Sequence, residues 1–125
     1  CRNKINNKIH NGSRSKAEKY LENKIKETYK DLNILFNTRK ILSCGLELDI
    51  FIPELMLAIE WNGIYHYKNF RGDEFLAITQ NKDNIKRKEC EDRNIELYVV
   101  KDLKSDDKFI KEETNKIIEY IYCRI

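Results

Sequence analysis

The sequence predicts an α/β domain with a mixed central β-sheet flanked by helices. Three observations lead to this prediction. Apolar residues recur at helical spacing near both ends of the chain, three short apolar runs with strand character lie between residues 34 and 61, and a helical segment separates the third run from a fourth. Because a helix between two strands usually crosses over to a parallel neighbour, we expect the fourth strand to be parallel to its partner. The expected order is α-β-β-β-α-β-α, in one domain, since 125 residues suffice for a single core.

The chain begins with a segment that we do not expect to pack. Residues 1–12 are rich in Asn and Lys and are predicted to form a flexible arm or linker, and residues 13–125 the folded domain. Ser15 is a suitable N-cap for the first helix, with Glu18 as its capping-box partner. The helical spacing of the apolar residues continues from there to about residue 32.

The next elements are predicted strands. They cover residues 34–36, continuing towards 42, then 46–52 and 55–61, and Pro53-Glu54 between the last two predicts a tight antiparallel hairpin. Residues 62–79 lose any regular period and are expected to form an irregular loop beside the site. Beyond them we expect a basic helix over 80–93, an apolar strand over 95–100 and a terminal helix over 107–122.

Composition narrows the class of protein. Hydrophobic residues make up 41% and charged residues 36% of the chain, and the net charge is +3, which permits nucleic acid as a partner without requiring it. The four cysteines, at positions 1, 44, 90 and 123, show neither close pairing nor metal-type spacing, which favours a reduced intracellular protein over a disulfide scaffold. No apolar run approaches the about 20 residues of a membrane helix, so we expect no membrane partner.

The most informative feature is a pair of acidic residues in apolar strands. Asp49 and Glu60 lie on the two predicted hairpin strands, where an ionised group is costly unless a cation compensates it. Two carboxylates and the backbone carbonyl of Trp61 suit Mg²⁺ with several waters remaining, an arrangement fitted to phosphoryl transfer. The alternative from spacing alone is equally open: both acids would lie on a solvated face, paired with Lys or Arg.

The ordered motifs make the comparison more specific. The run Gly45-Leu-Glu-Leu-Asp49 is followed by Leu57-Ala-Ile-Glu60-Trp-Asn62-Gly63, by His66, and by Asp83-x-x-Lys86-x-x-x-Cys90. This series resembles the PD-(D/E)XK nuclease superfamily over about residues 13 to 102, and within it the very-short-patch-repair-like and phage homing endonucleases. The resemblance implies a restriction-endonuclease-like fold. It also implies that Glu18, Asp49 and Glu60 are the acidic residues of a metal site, and that His66 has a role in the active site.

The sequence departs from the superfamily pattern at one position. The usual lysine two residues after the second acid is Asn62 here, and an amide can orient a water or a phosphate oxygen but carries no charge. Either the cation comes from another residue, with Lys86 and Lys68 as candidates, or the domain is inactive. His66 is of a type that exchanges protons near neutral pH, and Glu18 has a competing explanation as a helix cap.

Aromatic and basic residues alternate around the predicted site. A protein surface that binds nucleic acid typically combines aromatic rings, on which bases stack, with cationic side chains that neutralise phosphates. The competing explanations are a hydrophobic plug beneath the loop, which we favour for Trp61, and a basic helix face that is merely solvated. The candidate binding residues are Tyr65, Tyr67, Lys68, Arg71, Lys82 and Arg87.

Together these residues predict a Mg²⁺-dependent endonuclease, with Mn²⁺ able to substitute, that hydrolyses phosphodiester bonds in nucleic acid, DNA in preference to RNA. The competing predictions are a catalytically inactive nuclease fold that binds nucleic acid, and an interaction domain of a larger protein. The sequence leaves open whether one chain acts or two, and which segments flank the domain.

Overall fold

A computed structural model describes residues 15–125 and contains the predicted order of elements. Residues 1–14, including the predicted flexible arm, lie outside the described part. The helices are α1 (Lys16–Thr28), α2 (Asp73–Asp92) and α3 (Asp107–Tyr122). The strands are β1 (Leu35–Thr38), β2 (Leu48–Ile52), β3 (Leu57–Asn62) and β4 (Glu96–Lys101), and short 3₁₀ turns occupy Pro53–Leu55 and Ile64–His66. Among residues 15–125, no helix combines the length and apolar composition needed to cross a bilayer.

The four strands form one mixed sheet in the order β1-β2-β3-β4. The first three strands are antiparallel to their neighbours, and β3 and β4 are parallel. Ile52 pairs with Leu57 at the closed end of the β2–β3 hairpin, where Met56 adopts the left-handed conformation that ends the 3₁₀ turn. The structure therefore confirms the predicted hairpin, the parallel crossover and the α/β class with a mixed, helix-flanked sheet.

The capping box at the start of α1 is present as predicted. The Glu18 backbone N–H donates to Ser15 Oγ (3.1 Å), and the Ser15 backbone N–H donates to the Glu18 carboxylate (3.1 Å). Two otherwise unpaired donors at the helix N-terminus are thereby satisfied. The helix start is fixed at the residue that the sequence indicates.

The core lies on both faces of the sheet. One cluster packs α1 and α3 against residues such as Ile50 and Ile59, whereas the other joins Phe51 and Ala58 to Cys90 of α2. Because successive side chains of a strand point to opposite faces, the two clusters lie on opposite sides of the sheet. By the same alternation, Glu60 lies on the face of Ala58, the side that α2 covers.

Helix α2 begins earlier than the sequence predicts. The predicted loop over 62–79 ends at Gly72, and residues 73–79 form the first two turns of the helix. Phe75 and Ile78 in these turns are exposed, so they form no buried apolar stripe of the kind that makes a helix recognisable in a sequence. Asp73 and Glu74 are the remaining signal, because acidic residues favour the first turn of a helix.

Candidate active site

Asp49 and Glu60 lie side by side on β2 and β3, as predicted. The Asp49 backbone N–H donates to Glu60 Oε2 (2.7 Å), and the Trp61 backbone N–H donates to Asp49 Oδ2 (2.9 Å). Each carboxylate is thus held by the backbone of the strand that carries the other. The antiparallel pairing places the two acidic side chains together at one end of the hairpin.

Lys86 of α2 is the cation that reaches this pair. Its Nζ lies 2.6 Å from Glu60 Oε1, and the side chains of Lys86 and Glu60 are only 15% and 5% exposed. The other candidate, Lys68, is exposed and makes no ion pair within residues 15–125. The sequence left open whether the acids form a metal site or are paired with Lys or Arg on a solvated face. The structure has a feature of each, because Glu60 is paired with Lys86 but the pair is largely buried.

The cluster is short of positive charge. Burial raises the pKa of Asp49 well above its ordinary range, and the neighbouring carboxylates of Glu60 and Glu18 raise it further. Burial also raises the pKa of Glu60, although Lys86 opposes the change. Burial alone would lower the pKa of Lys86, but the attraction of Glu60 and then Asp49 outweighs this effect and raises it. One ammonium is therefore shared among several carboxylates.

Glu18 lies both in the cap of α1 and near the acidic pair. It completes the capping box of α1, and it is close enough to Asp49 for its negative charge to raise the pKa of that carboxyl. The capping role does not remove Glu18 from the acidic cluster.

His66 is oriented by an acidic partner. Its Nδ1 lies 2.8 Å from Asp83 Oδ2, and Gln80 Nε2 donates to the His66 backbone carbonyl (3.1 Å). Because an ionised carboxylate only accepts hydrogen bonds, Nδ1 carries the proton in this contact. In the neutral ring, Nε2 is then left as a proton acceptor.

Two cavities meet at His66. The first, of about 290 Å³, lies on the α2 side and is lined by Glu60, Asn62, His66 and Lys86 among others. The second, of about 310 Å³, is lined by Glu18, Trp61 and Tyr65 as well as His66. The predicted catalytic residues Glu18, Glu60, Asn62, His66 and Lys86 therefore border two adjoining spaces, and Asp49 contacts Glu60 beside them.

The Trp61 side chain belongs to the core, as we favoured from the sequence. Its ring packs edge-on against Phe109 with 6.2 Å between centroids, and its Nε1 donates to Asp102 Oδ2 (2.9 Å). Asp102 Oδ1 accepts from the backbone N–H groups of Lys104 (3.0 Å) and Ser105 (2.7 Å). This buried aspartate fixes the residue whose backbone binds Asp49. Sequence reasoning missed it, although an acid directly after an apolar strand was a signal.

The predicted nucleic-acid-binding residues divide into two groups. The Arg71 guanidinium stacks over the Tyr65 ring at 4.1 Å and over the Phe75 ring at 5.5 Å, and Lys101 Nζ lies 4.8 Å from the Tyr67 centroid. Arg87 lines the first cavity together with Tyr67. Lys68 and Lys82 are exposed and border none of the cavities described here. Phe75 and Lys101 extend the aromatic and basic surface beyond the residues that the sequence indicated.

The donor set suits a hard cation only in part. Within residues 15–125, no three His, Cys, Asp or Glu side chains form a group able to hold a metal ion. Asp49 Oδ1 accepts no hydrogen bond from the described residues, whereas both oxygens of Glu60 do accept one. Mg²⁺ commonly binds through one or two carboxylates together with water and substrate phosphate, and this geometry provides that number.

Comparison with known proteins gives one informative match. No model of a known protein family matches the chain, and no solved structure matches it. The uncharacterized protein 307L of Invertebrate iridescent virus 6 is 38% identical over an alignment of 67 residues, and the match covers 47% of this chain and 34% of the viral protein. About half of this chain is therefore similar to about a third of the viral protein.

Proposed function

We propose that this domain is a Mg²⁺-dependent endonuclease that hydrolyses phosphodiester bonds in nucleic acid, and in DNA more readily than in RNA. The observation that carries the proposal is the convergence of Asp49, Glu60 and Lys86 beside a cavity that also contains His66. The resemblance of the ordered motifs to the PD-(D/E)XK nucleases supports the same reaction. A restriction-endonuclease-like topology is part of this proposal.

The residues that would hold the metal are Asp49 and Glu60, with the Trp61 backbone carbonyl as a third donor and Glu18 nearby. When bound, Mg²⁺ would activate water and offset negative charge on the phosphate, and Mn²⁺ would substitute for it. The raised pKa of Asp49 is consistent with this assignment, because a buried acidic group without enough compensating charge is stabilised by a cation.

The other residues act through charge and proton transfer. Lys86, fixed by Glu60, presents a positive charge where negative charge develops on the phosphate in the transition state. His66 Nε2 accepts a proton from the attacking water, and the Asp83 carboxylate stabilises the imidazolium that results. Asn62 orients a water or a phosphate oxygen, and Tyr65, Tyr67, Lys68, Arg71, Lys82 and Arg87 form the surface that binds nucleic acid.

A cleavage assay tests this proposal directly. End-labelled duplex, single-stranded and branched DNA, and RNA, are incubated with the purified chain and Mg²⁺ or Mn²⁺. We expect Asp49→Asn and His66→Ala to lower the cleavage rate by at least about 10²-fold, the usual scale for a general acid or base. Asp92→Asn, on the exposed end of α2, is the matched control and should cleave at the wild-type rate. Absence of cleavage by the folded wild-type chain on every substrate would refute the proposal.

The second candidate is a nuclease fold that binds nucleic acid without cleaving it. Asn62 favours this candidate, as does the occupation of both Glu60 oxygens by hydrogen bonds from the protein. It predicts nucleic-acid binding that persists in EDTA and in Asp49→Ala, and no uptake of Mn²⁺ in isothermal titration calorimetry. The endonuclease predicts a Mn²⁺ titration that is lost in Asp49→Ala.

A further inference from the structure

Asn62 is a largely buried residue whose amide faces a cavity. Its exposed fraction is 8%, and its side chain makes no hydrogen bond within residues 15–125, yet it lines the cavity of about 290 Å³ beside α2. Among residues 15–125, Thr114 Oγ1 is the one side-chain polar atom that is both shut off from solvent and unpaired, so the Asn62 amide is still reached through the cavity. The amide therefore offers both a donor and an acceptor to a ligand that enters the cavity.

The rest of the cavity has the composition of a ligand pocket. Leu97, Val99 and Tyr67 provide apolar walls, and the exposed residue Asn84 also lines the cavity. Gln80 donates through Nε2 to the His66 carbonyl, which leaves its amide oxygen as an acceptor. Apolar walls with a few convergent polar groups are typical of small-molecule sites.

The chemistry of these groups fits a nucleobase. Asparagine pairs with the donor and acceptor edge of a base through two hydrogen bonds, and apolar or aromatic side chains cover the faces of the base. Lys86 and Arg87 border the same cavity and provide positive charge for the attached phosphate. The volume is near the lower limit of about 300 Å³ for ligand pockets, which suits a single base.

We infer that this cavity is a nucleobase subsite, in which Asn62 and Asn84 read the edge of one base taken out of the stack next to the phosphate at the acidic cluster. Asn62 then orients the substrate through the base and not through a water or a phosphate oxygen. The inference rests on the proposed function, since it names the part of the substrate that the site selects. It gives the domain a preference for one nucleotide at a single position beside the cleaved bond.

Binding of single nucleotides tests the inference without any cleavage. The ¹⁵N-labelled chain, in EDTA, is titrated with each of the four deoxynucleoside 5′-monophosphates and, separately, with inorganic phosphate. The side-chain NH₂ signals are followed by NMR, and the Asn62 signal is assigned from its absence in Asn62→Ala. We expect at least one nucleotide to shift the Asn62 signal saturably, and phosphate not to shift it.

Two variants locate the binding. Val99→Trp should fill the cavity from β4 and weaken nucleotide binding at least tenfold, whereas Ile85→Trp, exposed to a similar degree and outside the cavity, should bind as the wild type does. Asn62→Ala, followed through the Asn84 signal, should weaken binding at least tenfold with a native amide spectrum. The inference is overturned if no nucleotide shifts Asn62, if phosphate shifts it equally, or if Asn62→Ala binds as tightly as the wild type. A chain that binds nucleotides in this way but cleaves nothing would overturn only the proposed function.

Discussion

Replacing Lys86 with methionine should destabilise the folded chain strongly. Methionine keeps an unbranched apolar stem of similar length, so the packing of the aliphatic part is largely preserved while the ammonium is lost. Glu60 would then remain buried beside Asp49 without its cation. The variant therefore isolates the contribution of the charge.

The magnitude follows from the contact distance and the burial of the pair. Two unit charges 2.6 Å apart attract by about 6 kcal/mol at an effective dielectric constant of about 20. Much of this attraction offsets the cost of removing both groups from water, and loss of one partner of a buried pair typically costs about 3 to 5 kcal/mol. We expect Lys86→Met to lower the free energy of unfolding by that amount at pH 8.

Urea denaturation in EDTA measures the effect. Trp61 is the single tryptophan and lies beside the cluster, so its fluorescence reports unfolding there, and far-UV circular dichroism reports the helices. Lys88→Met on the same helix is the matched control. Lys88 is 71% exposed and lies 3.8 Å from Asp92 in an i,i+4 pair of the kind that contributes about 0.3 to 0.5 kcal/mol.

Two further measurements separate lost charge from lost packing. Adding Glu60→Gln to Lys86→Met should recover most of the stability, because no buried charge then lacks a partner. The cost of Lys86→Met should also diminish as the pH falls through the raised pKa of Glu60, where that carboxyl becomes neutral. A cost below about 1 kcal/mol at pH 8, close to that of the exposed control, would refute the reasoning.

Two other predictions concern charge. Asp49→Asn should stabilise the chain in EDTA at pH 8, by about 1.4 kcal/mol for each unit by which burial and the neighbouring carboxylates raise the Asp49 pKa. Because the raised pKa means that Asp49 holds its proton more tightly in the folded than in the unfolded chain, this gain should shrink as the pH falls towards 4. A lower free energy of unfolding for Asp49→Asn than for the wild type at pH 8, measured by urea denaturation, would contradict the prediction. Removal of residues 1–14 should reduce the salt dependence of DNA binding, because this segment is basic. It contains Arg2, Lys4, Lys8 and Arg14 and no acidic residue, and the remainder of the chain has 20 basic and 21 acidic residues. Fluorescence anisotropy across a salt series should show the slope of log K against log salt falling by roughly 3, and an unchanged slope would place the phosphate contacts in residues 15–125.

The sequence predicted those structural elements that depend on residues close to one another in the chain. Alternation and Pro53 indicated the β2–β3 hairpin and hence the approach of Asp49 to Glu60, and Ser15 marked the start of α1. The start of α2 was wrong by seven residues, because its first turns bury no apolar stripe and give no periodic signal.

Contacts between segments that are far apart in the chain could not be predicted from the sequence. Nothing in the spacing distinguished Lys86 from Lys68, since the choice depends on how α2 crosses the sheet face that carries Glu60. The unpaired amide of Asn62 and the bonding of Trp61 to Asp102 likewise depend on the packing of β4 beside β3. The sequence could nominate side chains for the site, but only the fold selects among them.

The short β2–β3 connection also bears on how the chain folds. The strands are separated only by residues 53–56, so the hairpin closes a small loop at little entropic cost and brings two acids together early. The ammonium that offsets them lies 26 residues beyond Glu60 and arrives only when α2 docks. Refolding should therefore be faster in mildly acidic than in alkaline solution, because protonation removes the repulsion during the interval before docking.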